Sequence, residues 1–160
     1  MPLKRAWVKF VEDRYGITLT PHACELDLEN LIATQSEIEL IKYEMVRYEG
    51  YRITEPILVF KGRYGGYFIV DGHTRARVEW DAGDRTMAAI LLTSPDADVC
   101  ADLLRSAQEA GGGKPRHIEE VPIVDRVGKG TDAWRKRRHE LLEDWRKEQA
   151  DRHPPEEASP

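Results

Sequence analysis

The sequence has few cysteines and no long apolar run. Among its 160 residues are 2 cysteines, Cys24 and Cys100, and they form no Cys-x-x-Cys pair. This excludes a zinc ribbon and a disulfide framework, and we expect both thiols to be buried. No apolar stretch approaches the roughly 20 residues that span a bilayer, and the first residues lack the apolar run of a secretory signal. We therefore expect a cytoplasmic protein with no membrane partner.

A surplus of positive charge is also missing. The 24 Lys and Arg residues face 29 Asp and Glu residues, which gives a formal net charge of −5. A protein that binds nucleic acid over its whole surface needs an excess of positive charge, so a nucleic-acid partner is disfavoured. A local basic patch remains an alternative. Hydrophobic residues make up 41 % of the chain, which is enough for a core and argues against global disorder.

Apolar spacing predicts an alternation of helices and strands. Helices are predicted over 7–15, 36–48, the segment between Gly72 and Gly83, the segment from 94 to 110, and 134–145. Strands or extended segments are predicted over 24–32, 55–60, 67–70, 86–92 and 121–124. The second and third of these strands are joined by a glycine-containing turn and should form a hairpin. Ser36 is the predicted N-cap of its helix, because a hydroxyl there accepts a free backbone N–H.

The predicted elements form one principal domain with additions at both ends. We expect a helical lead-in over 1–22, the main domain over 23–125, and a C-terminal amphipathic helix within 126–149. Residues 150–160 are rich in Pro, Glu and Ser and are predicted to be a mobile tail. The fold class is therefore predicted to be α/β, in the α+β sense.

The segment Tyr67–Val78, YFIVDGHTRARV, carries the clearest chemical signal. A strand ends, Gly72 permits a tight turn, and a helix begins at once. The first backbone N–H groups of a helix are unpaired and lie at the positive end of its dipole, so they bind anions such as phosphate. Thr74 can add a hydroxyl donor, and the guanidinium of Arg75 can bind two phosphate oxygens at once.

Two more side chains of this segment have predicted roles. Asp71 could hold Mg²⁺ beside the same phosphates, and His73 could donate to phosphate or take part in proton transfer. The alternative is a purely structural turn, in which Asp71 caps the helix and Arg75 pairs with a carboxylate.

Residues 28–92 resemble the ParB/sulfiredoxin superfamily. The matching elements are residues 28–35 before a helix, residues 55–60, and residues 68–76 followed by Gly83, and their order and spacing agree with that family. The resemblance covers the whole core of that fold and implies a small mixed sheet flanked by helices. It also implies that nucleotide phosphates bind at Gly72, His73, Thr74 and Arg75.

The chain departs from two branches of this superfamily. The reactive cysteine of a sulfiredoxin would fall at His73, and neither Cys24 nor Cys100 replaces it. The basic loop of ParB CTPases and an evident helix-turn-helix are also absent. The Asp-Gly-His-Thr-Arg version is similar to the archaeal free-serine kinases, which use ADP as phosphate donor.

The resemblance therefore implies a small-molecule kinase, a phosphotransferase that uses Mg²⁺ with ADP or ATP. Its acceptor would be an alcohol such as free L-serine. The alternative is a ParB-like nucleotide-binding protein that acts on or with DNA in partition, regulation or a nuclease-like role. A third hypothesis is an interaction module that has kept the fold and lost catalysis.

A glutamate at the start of the second predicted helix resembles the general base of the kinase-like members. We assign this role to Glu37, with Gln35 and Ser36 as substrate contacts, since a carboxylate can accept the proton of the alcohol. The alternative is that Glu37 only favours the dipole of the predicted helix. Glu39 is the weaker candidate, because two residues along a helix turn a side chain about 200° away.

A basic run, Arg-Lys-Arg-Arg-His at 135–139, precedes the end of the chain. It could contact phosphate or nucleic acid, or form the solvated face of a helix. Residues 131–160 contain seven Lys and Arg against eight Asp and Glu, which favours the solvated face. If residues 128–134 fold back over the ligand, Trp134 is a further substrate contact.

Overall fold

The computed structural model describes residues 2–62, 65–94 and 97–152. Its helices are Pro2–Tyr15 (α1), Leu40–Glu49 (α2), His73–Asp81 (α3), Ala97–Ala110 (α4) and Asp132–Arg152 (α5). Its strands are Thr20–Asp27 (β1), Leu31–Ile32 (β2), Ile38–Glu39 (β3), Ile57–Lys61 (β4), Tyr67–Asp71 (β5), Thr86–Thr93 (β6) and Ile123–Val124 (β7). Short 3₁₀ turns lie at Leu28–Asn30 and Ile118–Glu120.

Five of the strands form a mixed sheet in the order β1-β6-β4-β5-β2. The β1–β6 and β4–β5 pairs are antiparallel, whereas β6–β4 and β5–β2 are parallel. Strands β3 and β7 form a separate parallel pair. The predicted α+β class and the β4–β5 hairpin are therefore confirmed, while the assignment to the ParB/sulfiredoxin superfamily stays a prediction.

Strand β4 lies in the middle of the sheet and is apolar on both faces. Ile57 and Val59 pack into the core that includes residues of α2, α3 and α5. Leu58 and Phe60 pack into a second core with residues of α1 and α4. This alternation follows from the period of two along a strand, and it explains why the sequence of β4 is a continuous apolar run.

Most predicted elements are present, with one important shift. Helix α2 begins at Leu40 with Glu39 in the N-cap position, so the predicted helix start and the Ser36 cap are wrong. The reason is a tertiary contact, because Ile38 pairs with Ile123 in the β3–β7 sheet and holds this segment extended. The start of β1 at Thr20 also falls inside the predicted lead-in.

Other differences are smaller. Cys24 and Cys100 are half-buried instead of buried. Helix α5 begins at Asp132 and continues through residues 150–152, where the mobile tail was predicted to begin, and residues 153–160 lie outside the described residues. Two residues of the predicted helix start at 94–96 also lie outside them. None of the helices in the described part of the chain is long and apolar enough to cross a membrane.

Candidate functional site

The turn between β5 and α3 has the geometry that the sequence predicts. Gly72 precedes α3 with a φ of +103°, and a Cβ there would lie 2.4 Å from Ile57 Cγ2. Its side-chain-free backbone therefore fits where any other residue would collide with the buried Ile57. Gly72 occupies the N-cap position of α3 and makes no side-chain cap hydrogen bond, so Asp71 is not the capping residue of the structural alternative. The first N–H groups of α3 lie at the positive end of the helix, as an anion site requires.

Arg75 is held by protein acceptors. It is only 5 % exposed. Its Nη1 donates to the carbonyl oxygen of Glu55 at 2.7 Å, and its Nη2 donates to Asp71 Oδ2 at 3.2 Å. The carboxylate of Glu55 lies 3.9 Å from the same guanidinium. This matches the structural alternative for Arg75, and its contact with phosphate stays a prediction.

The Arg75 contacts belong to a longer chain of charges. Arg52, whose backbone has a φ of 56°, places Nη1 3.2 Å from Glu55 Oε2 and 2.5 Å from Glu148 Oε2. The hydrogen bond to Glu148 of α5 helps to raise the pKa of Arg52 although burial opposes it. The chain from Asp71 through Arg75, Glu55 and Arg52 to Glu148 therefore ties the turn to α5.

His73 is a neutral, buried side chain at the first position of α3. It is 2 % exposed, and burial lowers its pKa to about 3. Its Nε2 accepts the backbone N–H of Thr34 at 2.9 Å, so the ring proton is on Nδ1. This Nδ1 is buried and has no hydrogen-bond partner among the residues that the structure describes. His73 thus ties the turn to the segment after β2, and it cannot meet a phosphate as a cation at neutral pH.

A cavity of about 330 Å³ opens beside this turn, and we call it the α3 cavity. Residues 71–75 line it together with three cations from other parts of the chain, which are Arg52, Lys42 of α2 and Arg137 of α5. Three carboxylates, Glu39, Asp144 and Glu148, line it as well. Apolar side chains form another part of its lining, and these are Val46, Tyr51 and Leu141. An anion at the start of α3 would therefore lie beside these cations and an apolar wall, in a cavity whose lining carries carboxylates too.

A second cavity, of about 420 Å³, lies beside β3 and is called the β3 cavity. It is lined by all three residues that were predicted to contact the substrate or to remove its proton, which are Gln35, Ser36 and Glu37. Glu37 is not free, because Arg126 Nε and Nη2 each donate to one of its carboxylate oxygens at 2.7 Å. The hydrogen bonds from Arg126 lower the pKa of Glu37, which makes its carboxylate a weaker base.

Glu39 is the carboxylate that the two cavities share. Together with Gln35 it lines both of them. The prediction that Glu39 points away from Glu37 is wrong, because Ile38–Glu39 is a strand and not part of a helix. Side chains two residues apart in an extended segment lie on the same side, so Glu37 and Glu39 both line the β3 cavity. The buried Ile38 lies between them and points to the opposite side. No local pattern of the sequence distinguishes Glu39, Lys42 or Arg137 from ordinary surface charges.

The basic run on α5 is divided among different partners. Arg135 pairs with Asp132 of its own helix, and Arg138 pairs with Glu49 of α2. Arg137 lines the α3 cavity and contacts Glu39. Trp134 is half-buried against the main core and lines neither cavity, so its predicted contact with substrate stays a prediction.

The donor set for a metal ion is sparse. Among the described residues, no three potential ligands of the His, Cys, Asp and Glu types converge. Asp71 lines the α3 cavity, and its side chain is 25 % exposed. A single carboxylate beside a phosphate site suits Mg²⁺, which keeps several waters and is held largely by nucleotide phosphates. Asp71 could therefore hold an ion that arrives with its nucleotide.

Comparisons with known proteins add little to this geometry. No protein-family model matches the chain, and no curated protein matches it. Among solved structures, the chain is similar to the crystal structure of protein Atu1540 from Agrobacterium tumefaciens, with 14 % sequence identity and a TM-score of 0.45. The match covers 66 % of this chain, which spans 63 % of that one. A likeness of this degree carries no argument about function.

Proposed function

We propose that the α3 cavity binds the phosphates of ADP or ATP and that the protein is a small-molecule kinase. The observation that carries this proposal is the position of the Gly72 turn, which opens into a cavity that also contains Lys42 and Arg137. Backbone N–H groups at a helix start, together with nearby cations, are the usual means of holding phosphate. The resemblance of residues 28–92 to the ParB/sulfiredoxin superfamily supports the same assignment.

The apolar part of the α3 cavity favours a nucleotide over a free phosphate ion. Tyr51 and Leu141 are 5 % exposed, and both line this cavity. An apolar surface beside an anion site suits a ligand with a flat ring at one end and phosphates at the other. The nucleobase would lie on the side of Tyr51 and Leu141, with the phosphates at residues 72–74.

The acceptor alcohol would bind in the β3 cavity. Arg126 and Glu37 at its lining carry opposite charges and pair with each other. A small zwitterion such as free serine would bind there by replacing this contact with its own carboxylate and ammonium groups. Gln35 and Ser36 add polar groups for positioning. These features support a hydroxyl-bearing amino acid as the substrate, in agreement with the resemblance to the free-serine kinases.

Glu39 is the better candidate for the general base, because it lies on the wall between the two cavities. In the transfer, the hydroxyl oxygen of the acceptor forms a bond to the terminal phosphorus, and the bond from that phosphorus to the bridging oxygen breaks. The leaving group is AMP when ADP is the donor and ADP when ATP is the donor. The hydroxyl proton passes to the carboxylate of Glu39. Mg²⁺ bound at Asp71 would offset the charge of the phosphates.

The matched pair Glu39→Gln and Glu37→Gln tests this assignment. Phosphorus NMR would follow the product formed from ADP or ATP with Mg²⁺ and serine. Glu39→Gln should lower kcat by about 10²- to 10⁴-fold, the usual contribution of a general base, whereas Glu37→Gln should lower it by less than about tenfold. Equal losses in the two variants would contradict the role of Glu39. If the unmodified protein transfers no phosphate from either nucleotide, the kinase proposal is wrong.

A further inference from the structure

Arg137 is the residue of the basic run that faces the α3 cavity. Its neighbours Arg135 and Arg138 pair with carboxylates away from this cavity. Helix α5 therefore contributes one cation of the run to the candidate phosphate site, on the same helix face as Leu141, which lies one turn further along.

The contact between Arg137 and Glu39 is a weak one. A single nitrogen, Nη2, is shared between the two oxygens of Glu39 at 3.2 Å each. The Glu37–Arg126 pair uses two nitrogens at 2.7 Å each, which is the usual length of a strong charge-assisted hydrogen bond. The side chains of Arg137 and Glu39 are 32 % and 38 % exposed, and exposed ion pairs contribute little to stability.

We propose that Arg137 binds the terminal phosphate of the nucleotide by exchanging Glu39 for it. This inference rests on the proposed nucleotide site. A phosphate group offers the guanidinium two oxygens in the geometry that its planar fork prefers. The exchange frees the carboxylate of Glu39 on the wall of the β3 cavity, where the acceptor hydroxyl would lie. Nucleotide binding thus releases the carboxylate of Glu39, which stays paired with Arg137 while the α3 cavity is empty.

Calorimetric titration of ADP and of inorganic pyrophosphate, each with Mg²⁺ at fixed ionic strength, tests this exchange. Arg137→Gln should weaken the binding of both ligands by about 10- to 100-fold, the range of a lost charge-assisted hydrogen bond. Arg138→Gln is the matched control, since it removes a neighbouring cation that is likewise paired with a glutamate, Glu49 of α2. It should change affinity by less than about twofold.

A third variant separates exchange from simple charge attraction. Glu39→Gln removes the competitor for Arg137 and should strengthen the binding of pyrophosphate by about 2- to 5-fold, on the scale of one exposed ion pair. Arg137→Lys keeps the positive charge but lacks the planar guanidinium. Its affinity for pyrophosphate should lie between those of Arg137→Gln and the unmodified protein.

Three results would overturn the inference. They are equal affinities in Arg137→Gln and Arg138→Gln, unchanged or weaker binding in Glu39→Gln, and full affinity in Arg137→Lys. The nucleotide site itself can fail separately, because an unmodified protein that binds neither ADP nor pyrophosphate would refute that site and the inference together. Circular dichroism of each variant confirms that loss of binding is not loss of folding.

Discussion

A side chain at position 72 would have no room, since its Cβ would lie 2.4 Å from Ile57 Cγ2 and the backbone φ is +103°. We expect Gly72→Ala to lower the free energy of unfolding by about 2–5 kcal/mol, the sum of backbone strain and overpacking. Gly83→Ala is the control, because that residue has a φ of +97° but no atom within 4 Å of its Cβ position. It should cost about 1–2 kcal/mol, from strain alone. Urea unfolding of both variants measures the difference, and equal losses would contradict the collision with Ile57.

His73 makes the stability of the protein depend on pH. Burial holds its pKa at about 3 in the folded chain, whereas an unfolded histidine titrates near pH 6.5. Between these values the unfolded chain binds more protons, so the free energy of unfolding falls as the pH drops below about 6.5, by up to about 1.4 kcal/mol per pH unit. Above that pH both states are neutral at this ring, and the effect disappears.

The variant His73→Gln isolates this effect. Its amide oxygen can accept the N–H of Thr34 in place of Nε2, but it does not titrate. Urea unfolding at pH 7.5 and pH 5.0 should show that the unmodified protein loses about 2 kcal/mol more than the variant over this interval. The same loss in both proteins would mean that His73 is protonated in the folded state.

At the scale of elements, α5 is held by its apolar residues more than by its charges. Leu141 is 5 % exposed and belongs to the main core. We expect Leu141→Ala to lower the free energy of unfolding by about 2–4 kcal/mol, as for other buried leucines. The exposed Arg138–Glu49 pair should contribute less than about 1 kcal/mol, so Arg138→Gln should be nearly neutral. Thermal or urea unfolding would compare them, and a larger loss in Arg138→Gln would refute this ranking.

Local patterns predicted most of the elements, and long-range pairing explains the exception. The alternation of apolar runs and glycines located β4, β5, α3 and β6, because each has a clear start or stop signal of its own. Strand β3 has only two residues and exists because Ile38 pairs with Ile123. No local sequence pattern indicates such a pairing. The helix was therefore predicted to begin too early, and the side chain of Glu39 was predicted to point away from that of Glu37.

The candidate site shows the same division. The strand–Gly72–helix turn was recognisable from the sequence, since glycine and an abrupt change of period are local features. The cations of the α3 cavity were not, because Lys42 and Arg137 come from helices that meet only in the folded chain. The sequence left open whether Arg75 binds phosphate or pairs with a carboxylate, because Glu55, which lies 3.9 Å from its guanidinium, comes from a distant part of the chain.

The molecule as a whole carries a net charge of −5, and its basic run is largely paired with acids. We therefore expect only weak, salt-dependent binding to DNA, with a Kd above about 10⁻⁶ M at physiological salt. Fluorescence anisotropy with a labelled duplex would measure it. Sequence-specific binding in the nanomolar range would favour the ParB-like alternative, in which the protein acts with DNA.

The central claim is that nucleotide phosphates bind at the start of α3, and a crystal structure of the protein with ADP and Mg²⁺ tests it most directly. The account predicts phosphate oxygens within hydrogen-bond distance of the backbone N–H groups at the start of α3, with Arg137 turned from Glu39 toward them. The nucleobase of ADP should lie against Tyr51. An ordered ADP molecule bound outside the α3 cavity, with that cavity unchanged, would contradict the claim.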